Sequence, residues 1–208
     1  YNVAAAVHIA GPVDTAALTR AFAETIRRHE VLRMVFPAQD GQAAPAILPT
    51  VNASLSTREV GADEVEARVS EEASRPFDLS QGPLIRAVLL RVSAQQQVLV
   101  LTLHHIIADG LSVGLLLREL GALHAAFITG QESPLPELPI QFVDFASWLR
   151  QWLTAGRLEP QLAFWRGQLA GIPARLELPT DRPRPVRRSE RAGTVAARLG
   201  IDLVSALS

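Results

Sequence analysis

His104-His105-Ile106-Ile107-Ala108-Asp109-Gly110 is the stretch of this sequence where groups able to do chemistry crowd together. Histidine is the side chain whose unperturbed pKa, roughly 6.5, lets it exchange a proton near neutral pH. Asp109 can hold a turn or pair with a cation, and Gly110 permits a backbone conformation that a larger residue would resist. The constellation suits a general base or charge stabiliser fixed by a structural carboxylate. A lone histidine at a strand end is more often a satisfied structural group, and the residues by themselves leave both readings open. A two-histidine, one-carboxylate metal site is a further option, but His8, His29 and His124 offer no ligand spacing, so no metal is expected. Ser112 lies close by and is weighed as a nucleophile only to be set aside.

Composition narrows the chemistry further. The 208 residues carry 20 cationic side chains, every one an arginine, against 21 acidic ones. A net charge of −1 gives no electrostatic footprint for nucleic acid or an anionic membrane. Without cysteine there is no disulfide, thiolate zinc site or cysteine nucleophile. Without lysine there is no Schiff base and no Walker-type phosphate lysine. The apolar fraction of 48% argues against disorder, and the length can bury a sizeable core. The chain does not start with Met and stops in what reads as a helix, so a fragment of a longer polypeptide is expected. No signal-peptide pattern is visible and no apolar run is read as reaching the ~18 residues of a membrane span, so a cytoplasmic location is expected.

The elements that must position the histidines follow from periodicity. Val3 to Ile9 reads as an opening strand, closed by Gly11-Pro12. Asp14 is a helix N-cap, and Leu18, Phe22 and Ile26 predict an amphipathic helix to about His29. Leu32, Met34 and Phe36 alternate as a short strand, and 38–56 reads as loop with short extended pieces. Asp63 to Ser74 suits a surface helix. Leu84 to Val92 and Val98 to Leu103 predict antiparallel neighbours, the second buried on both faces and ending at the histidine pair. Leu111 to Ile128 is helical, as are Phe142 to Leu153 and Pro160 to Leu169, which carry the aromatics Phe145, Trp148, Trp152, Phe164 and Trp165. Gly171 to Arg191 is rich in proline and arginine and reads as a linker. Thr194 to Leu199 reads as a new strand followed by a helix. The arginines Arg182, Arg184, Arg187, Arg188 and Arg191 suit a solvated linker better than a nucleic-acid site, since no aromatic partner accompanies them. The class is α/β, with a mixed or antiparallel sheet.

These residues resemble a family. His104 to Gly110 matches the HHxxxDG signature of condensation domains of non-ribosomal peptide synthetases, which are similar to chloramphenicol acetyltransferase. Arg28-His29-Glu30-Val31-Leu32-Arg33 resembles the RHExLR segment of that family. Phe142-Val143-Asp144-Phe145-Ala146-Ser147-Trp148 resembles its YxDYAxW segment, with Phe in both Tyr places. Arg75-Pro76-Phe77-Asp78-Leu79, Gly82-Pro83-Leu84 and Leu178-Pro179-Thr180-Asp181-Arg182-Pro183 add to the likeness, which covers essentially the whole chain in order. The fold implied is the chloramphenicol acetyltransferase-like two-layer sandwich, here only the N-terminal lobe at 1–172. A linker at 173–192 and the start of the second lobe at 193–208 would follow.

The resemblance implies amide formation between two carrier-bound thioesters. His105 would face the acceptor amine, His104 would pack beside it and support the turn, and Gly110 would keep the tunnel open. Asp109 would be structural, held by an arginine, with Arg33 as the candidate partner and Arg28 the weaker one. Asp144 and Trp148 would hold their helix in place. Phosphopantetheine would arrive on donor and acceptor carrier-protein domains as part of the substrate, with no cofactor bound directly. An adenylation domain and the second lobe would be neighbours in the full polypeptide, and neither nucleic acid nor membrane is an expected partner. There are departures: the family's first motif is absent, Leu111 stands where a Trp is common, and the second lobe is almost entirely missing. The chain alone is therefore expected to be inactive, with an apolar face the second lobe would cover. The alternatives of the same fold are an epimerization domain, a free-standing thioester-dependent acyltransferase and a non-catalytic recruitment domain. Against the first, Leu111-Ser112-Val113-Gly114 lacks the Val-Ser-Trp-Arg continuation.

Overall fold

The computed structural model describes the chain except residues 53, 175, 182, 184, 185, 188–194, 196 and 208. It divides into two units, Tyr1–Leu158 and Glu159–Ser208, so the break falls before the Pro/Arg-rich segment rather than inside it.

In the first unit β1 (Asn2–Ala10) leads through Gly11 into α1 (Thr15–Arg28). Asp14 starts α1 because its carboxylate accepts the Ala17 N–H at 2.9 Å, taking up one of the first-turn donors that have no intrahelical partner. The segment expected to be a strand at Leu32–Phe36 is instead a 3₁₀ turn, Glu30–Arg33, running into the two-residue β2 (Met34–Val35). Three more two-residue strands follow: β3 (Ala38–Gln39), β4 (Gln42–Ala43) and β5 (Ala46–Ile47). Then come β6 (Leu55–Glu59), α2 (Val65–Ser74), β7 (Ile85–Ser93) and β8 (Gln96–His104). The helices α3 (Gly110–Ile128) and α4 (Phe142–Trp152) follow, and a π-helical stretch at Leu153–Arg157 closes the unit.

The main sheet has the order β1-β8-β7-β6, antiparallel except for the parallel β6/β7 pair, and is thus mixed. β8 lies inside it, which explains its unbroken apolar run. Leu99, Leu101 and Leu103 join the large core with Leu18, Phe22 and Ile26 of α1 and Leu116, Leu120 and Leu123 of α3. Val98 and Val100 face the other way, into a smaller cluster with Val65 and Val69 of α2. Alternate residues of one strand thus need apolar company on both sides. β6 was not expected. Only Leu55 of its five residues is buried, and the polar Ser56-Thr57-Arg58-Glu59 that follows hides an edge strand from a hydrophobic pattern search.

α3 corrects the expectation about apolar runs. It has 19 residues and a mean hydropathy of 1.5, enough to cross a membrane by length and composition alone. Its Val113, Leu116, Leu120 and Leu123 are spent on the core, as in the central helix of a globular domain.

In the second unit α5, which opens at the boundary (Leu158–Gln168), stacks Phe164 edge-on against Trp165 and pairs Arg166 with Glu159 at 3.7 Å. A last helix, α6 (Ile201–Leu207), follows. Of the strand expected at Thr194–Leu199, Thr194 and Ala196 lie outside the described residues, and the others have no regular structure. Arg182, Arg184, Arg188 and Arg191 also lie outside the described residues.

Candidate functional site

β8 delivers the histidine pair to the edge of the core and the chain then turns. The His104 N–H donates to Leu84 O at 3.0 Å and the His105 N–H to Tyr1 O at 2.8 Å, so strand pairing persists up to the corner. The Ile107 N–H donates to His104 O at 3.1 Å and closes the turn. Adjacent strand residues point to opposite faces, and the two imidazoles separate accordingly. His104 is half-buried against Phe77, ring edge to ring face at 6.3 Å between centroids and 86° between planes. His105 is exposed and lines a cavity of about 330 Å³ on the α3 side of the turn.

His104 also shapes the corner. Its Nδ1 accepts the Ile106 N–H at 3.1 Å, which assigns the ring proton to Nε2 in the neutral form. Burial above all, with His105 adding to it, holds its pKa below the ordinary histidine value, so the ring is neutral at pH 7 and keeps that lone pair. His104 thus fastens the backbone from which His105 projects.

Asp109 is structural, as expected, but its partner is not an arginine. Its carboxylate accepts the Ser112 N–H at 2.8 Å and the Ser112 hydroxyl at 2.6 Å, while the Asp109 N–H donates to Ser112 Oγ at 3.2 Å. The two form a reciprocal cap on α3. The Ser112 hydroxyl and N–H lower the Asp109 pKa below the usual carboxylate range. Neither predicted arginine reaches it. Arg33 donates to Leu48 O at 2.6 Å and Pro49 O at 3.3 Å. Arg28 pairs with Glu119 at 3.5 Å and donates to Leu135 O at 3.4 Å. The physical reason is exposure: Asp109 is not buried, and the free donors at a helix N-terminus satisfy it without a cation.

Gly110 differs from the conformational argument as well. It is the first residue of α3 and lies outside the positive-φ region, and a Cβ placed on it meets no atom within 4 Å. What glycine provides there is open space. Asp144 matches its expected role, accepting the Gln141 N–H at 2.9 Å to cap α4. Trp148 remains exposed, stacked between Phe145 and Trp152 at 5.8 and 6.3 Å.

The remaining cavity wall is mostly apolar, with Leu32, Ile106, Ile107, Leu115, Leu116 and Phe142. Sequence reasoning missed one polar member, His29. Its Nε2 sits 2.7 Å from Glu119 Oε2, the oxygen that also takes Arg28. Among the described residues no three His, Asp or Glu side chains are grouped to hold a metal ion.

A family model described as the Condensation domain matches residues 1–208. This chain belongs to the condensation-domain family. The domain is 40% identical over its whole length to malpinin synthetase of Mortierella alpina, of which it spans 3%. It is 42% identical to the phosphinothricin tripeptide synthetase PhsC of Streptomyces viridochromogenes, of which it spans 20%. Among solved structures, the X-domain from teicoplanin biosynthesis matches with a TM-score of 0.86 and 33% identity. That match covers 93% of this chain and 44% of the X-domain chain. The same X-domain has also been solved in complex with OxyB. The fold is therefore the chloramphenicol acetyltransferase-like one, and the chain spans less than half of these solved condensation-type chains.

Proposed function

We propose that this condensation domain contributes the histidine face of a site that joins a carrier-bound donor thioester to the α-amine of a carrier-bound acceptor. The observation that carries the reading is the division of labour in the histidine pair. His104 is tied to the Ile106 N–H, and His105 opens into a mostly apolar cavity. An α-amine, with an ordinary pKa near ~8, is largely an ammonium at neutral pH and gives one proton to solvent before its lone pair is free to attack. His105 accepts an N–H of that group and orients it for attack on the donor carbonyl. The C–N bond forms as the C–S bond breaks, and the amine proton ends on the leaving thiolate. His105 serves as proton acceptor or orienting group in this scheme, with no covalent acyl-enzyme. Phosphopantetheine comes as part of both substrates, and the donor and acceptor carrier proteins are the partners. In this reading a second lobe completes the working catalyst, and the chain spans 44% of the matched X-domain chain.

The likeness to an X-domain solved in complex with OxyB supports a second reading, recruitment of a partner protein. One experiment separates the two. The complete condensation domain is given matched donor- and acceptor-loaded carrier proteins, and products are followed by mass spectrometry. An amide-linked product on the acceptor carrier supports condensation. Intact starting thioesters from well-folded protein overturn it and favour recruitment.

A further inference from the structure

His29 shares the cavity with His105, and the fold fixes it from three directions. Glu119 on α3 holds its Nε2 at 2.7 Å. Arg28, with a side chain only 2% exposed, locks the same carboxylate at 3.5 Å. Gln141, ahead of α4, clamps the flanking backbone by donating to Arg28 O at 2.9 Å and accepting the Glu30 N–H at 3.1 Å. In the neutral form of the ring, the Nε2–H donates to Glu119 and Nδ1 is the acceptor. Nδ1 has no protein partner among the described residues, and it is not one of the sealed polar atoms that lack one. Asp109 and Ser112, the other polar side chains in the wall, bond to each other through Asp109 Oδ1 as the cap of α3. The two imidazoles place two ring acceptors in one cavity wall.

We infer that His29, oriented by Glu119, is a second amine-orienting residue whose Nδ1 accepts one N–H of the acceptor α-amine while His105 accepts another. This inference rests on the proposed condensation reading. An amine held by a single hydrogen bond can swing about it. Two acceptors on two N–H groups fix where the nitrogen lone pair points, which is the geometry attack on a carbonyl requires.

The first test uses the complete condensation domain, following the imidazole nitrogens by NMR. The probe is an alanyl amide mimic of an aminoacyl thioester, compared with its N-acetylated form. The free amine is expected to move His29 Nδ1 and a His105 ring nitrogen, and the acetylated probe neither. Movement of His105 alone overturns the role of His29 and leaves the condensation reading standing. Movement of neither overturns both. A second test uses amide formation by the complete domain. His29→Gln keeps an acceptor and retains most activity. His29→Leu loses about tenfold in kcat/KM for the acceptor substrate, the order expected for one lost hydrogen bond, with the donor KM unchanged. Equal losses in the two variants, tracking a fall in thermal stability, overturn the inference in favour of a purely structural His29.

Discussion

Asp109 lines the cavity, Gly110 follows it at the start of α3, and different physics governs each. The Asp109 carboxylate carries the cap of α3, and its pKa is lowered by the Ser112 donors. A lowered carboxyl pKa gives stability that is fully present above the unfolded value near ~3.9 and is lost as pH falls through the folded value. Asp109→Asn keeps a capping oxygen but cannot titrate. Its melting temperature should stay near wild type at pH 7, and the acid-limb slope below about pH 4 should flatten. Thermal melts across that range check this, and an unchanged slope contradicts it. Gly110→Ala is expected to leave the melting temperature unchanged or slightly raised, since alanine favours helix and the Cβ meets open space. Amide formation should fall if that space is the substrate's path. A destabilised variant would show that the backbone, not room, requires glycine. At this scale the sequence showed the histidine pair and the turn. It misassigned the partner of Asp109 because the arginine came from resemblance, whereas a local cap needs only a serine three residues on. His29 and Glu119 were invisible because they stand 90 residues apart and meet only when the end of α1 packs against α3.

Among the elements, β8 governs the site because it ends in the pair of histidines and lies within the sheet. Leu101 is 2% exposed in the large core and Val100 1% exposed in the small one. Leu101→Ala should cost about 2–5 kcal/mol by removing contacts with the α1/α3 side and leaving a cavity there. Val100→Ala should cost less, since fewer atoms are removed from a thinner cluster. Urea unfolding of both variants checks the order, and a reversed order would mean that α2, not α1 and α3, anchors the strand. The long elements were legible because each repeats its apolar residues at its own period: Leu18, Phe22 and Ile26 in α1, and the unbroken run in β8. What escaped was short or polar. β6 has one buried residue, and the 3₁₀ turn Glu30–Arg33 has an alternation that mimics a strand.

For the whole molecule, the family and fold agree with what the motifs implied, and the first unit holds the cavity, both histidines and the cap of α3. The histidine pair belongs to a corner that two helices and the sheet hold together, so a single side chain can be removed without dismantling its support. His105 is suited to such a test, since it is exposed and its backbone N–H, not its ring, makes the bond to Tyr1 O. The most direct measurement is single-turnover amide formation by the complete condensation domain with loaded carrier proteins, comparing wild type with His105→Ala. Circular dichroism and melting temperature should be unchanged while the rate of amide formation drops by about 10²–10⁴-fold. A wild-type rate from the folded His105→Ala protein would remove His105 from the mechanism and contradict the proposed site.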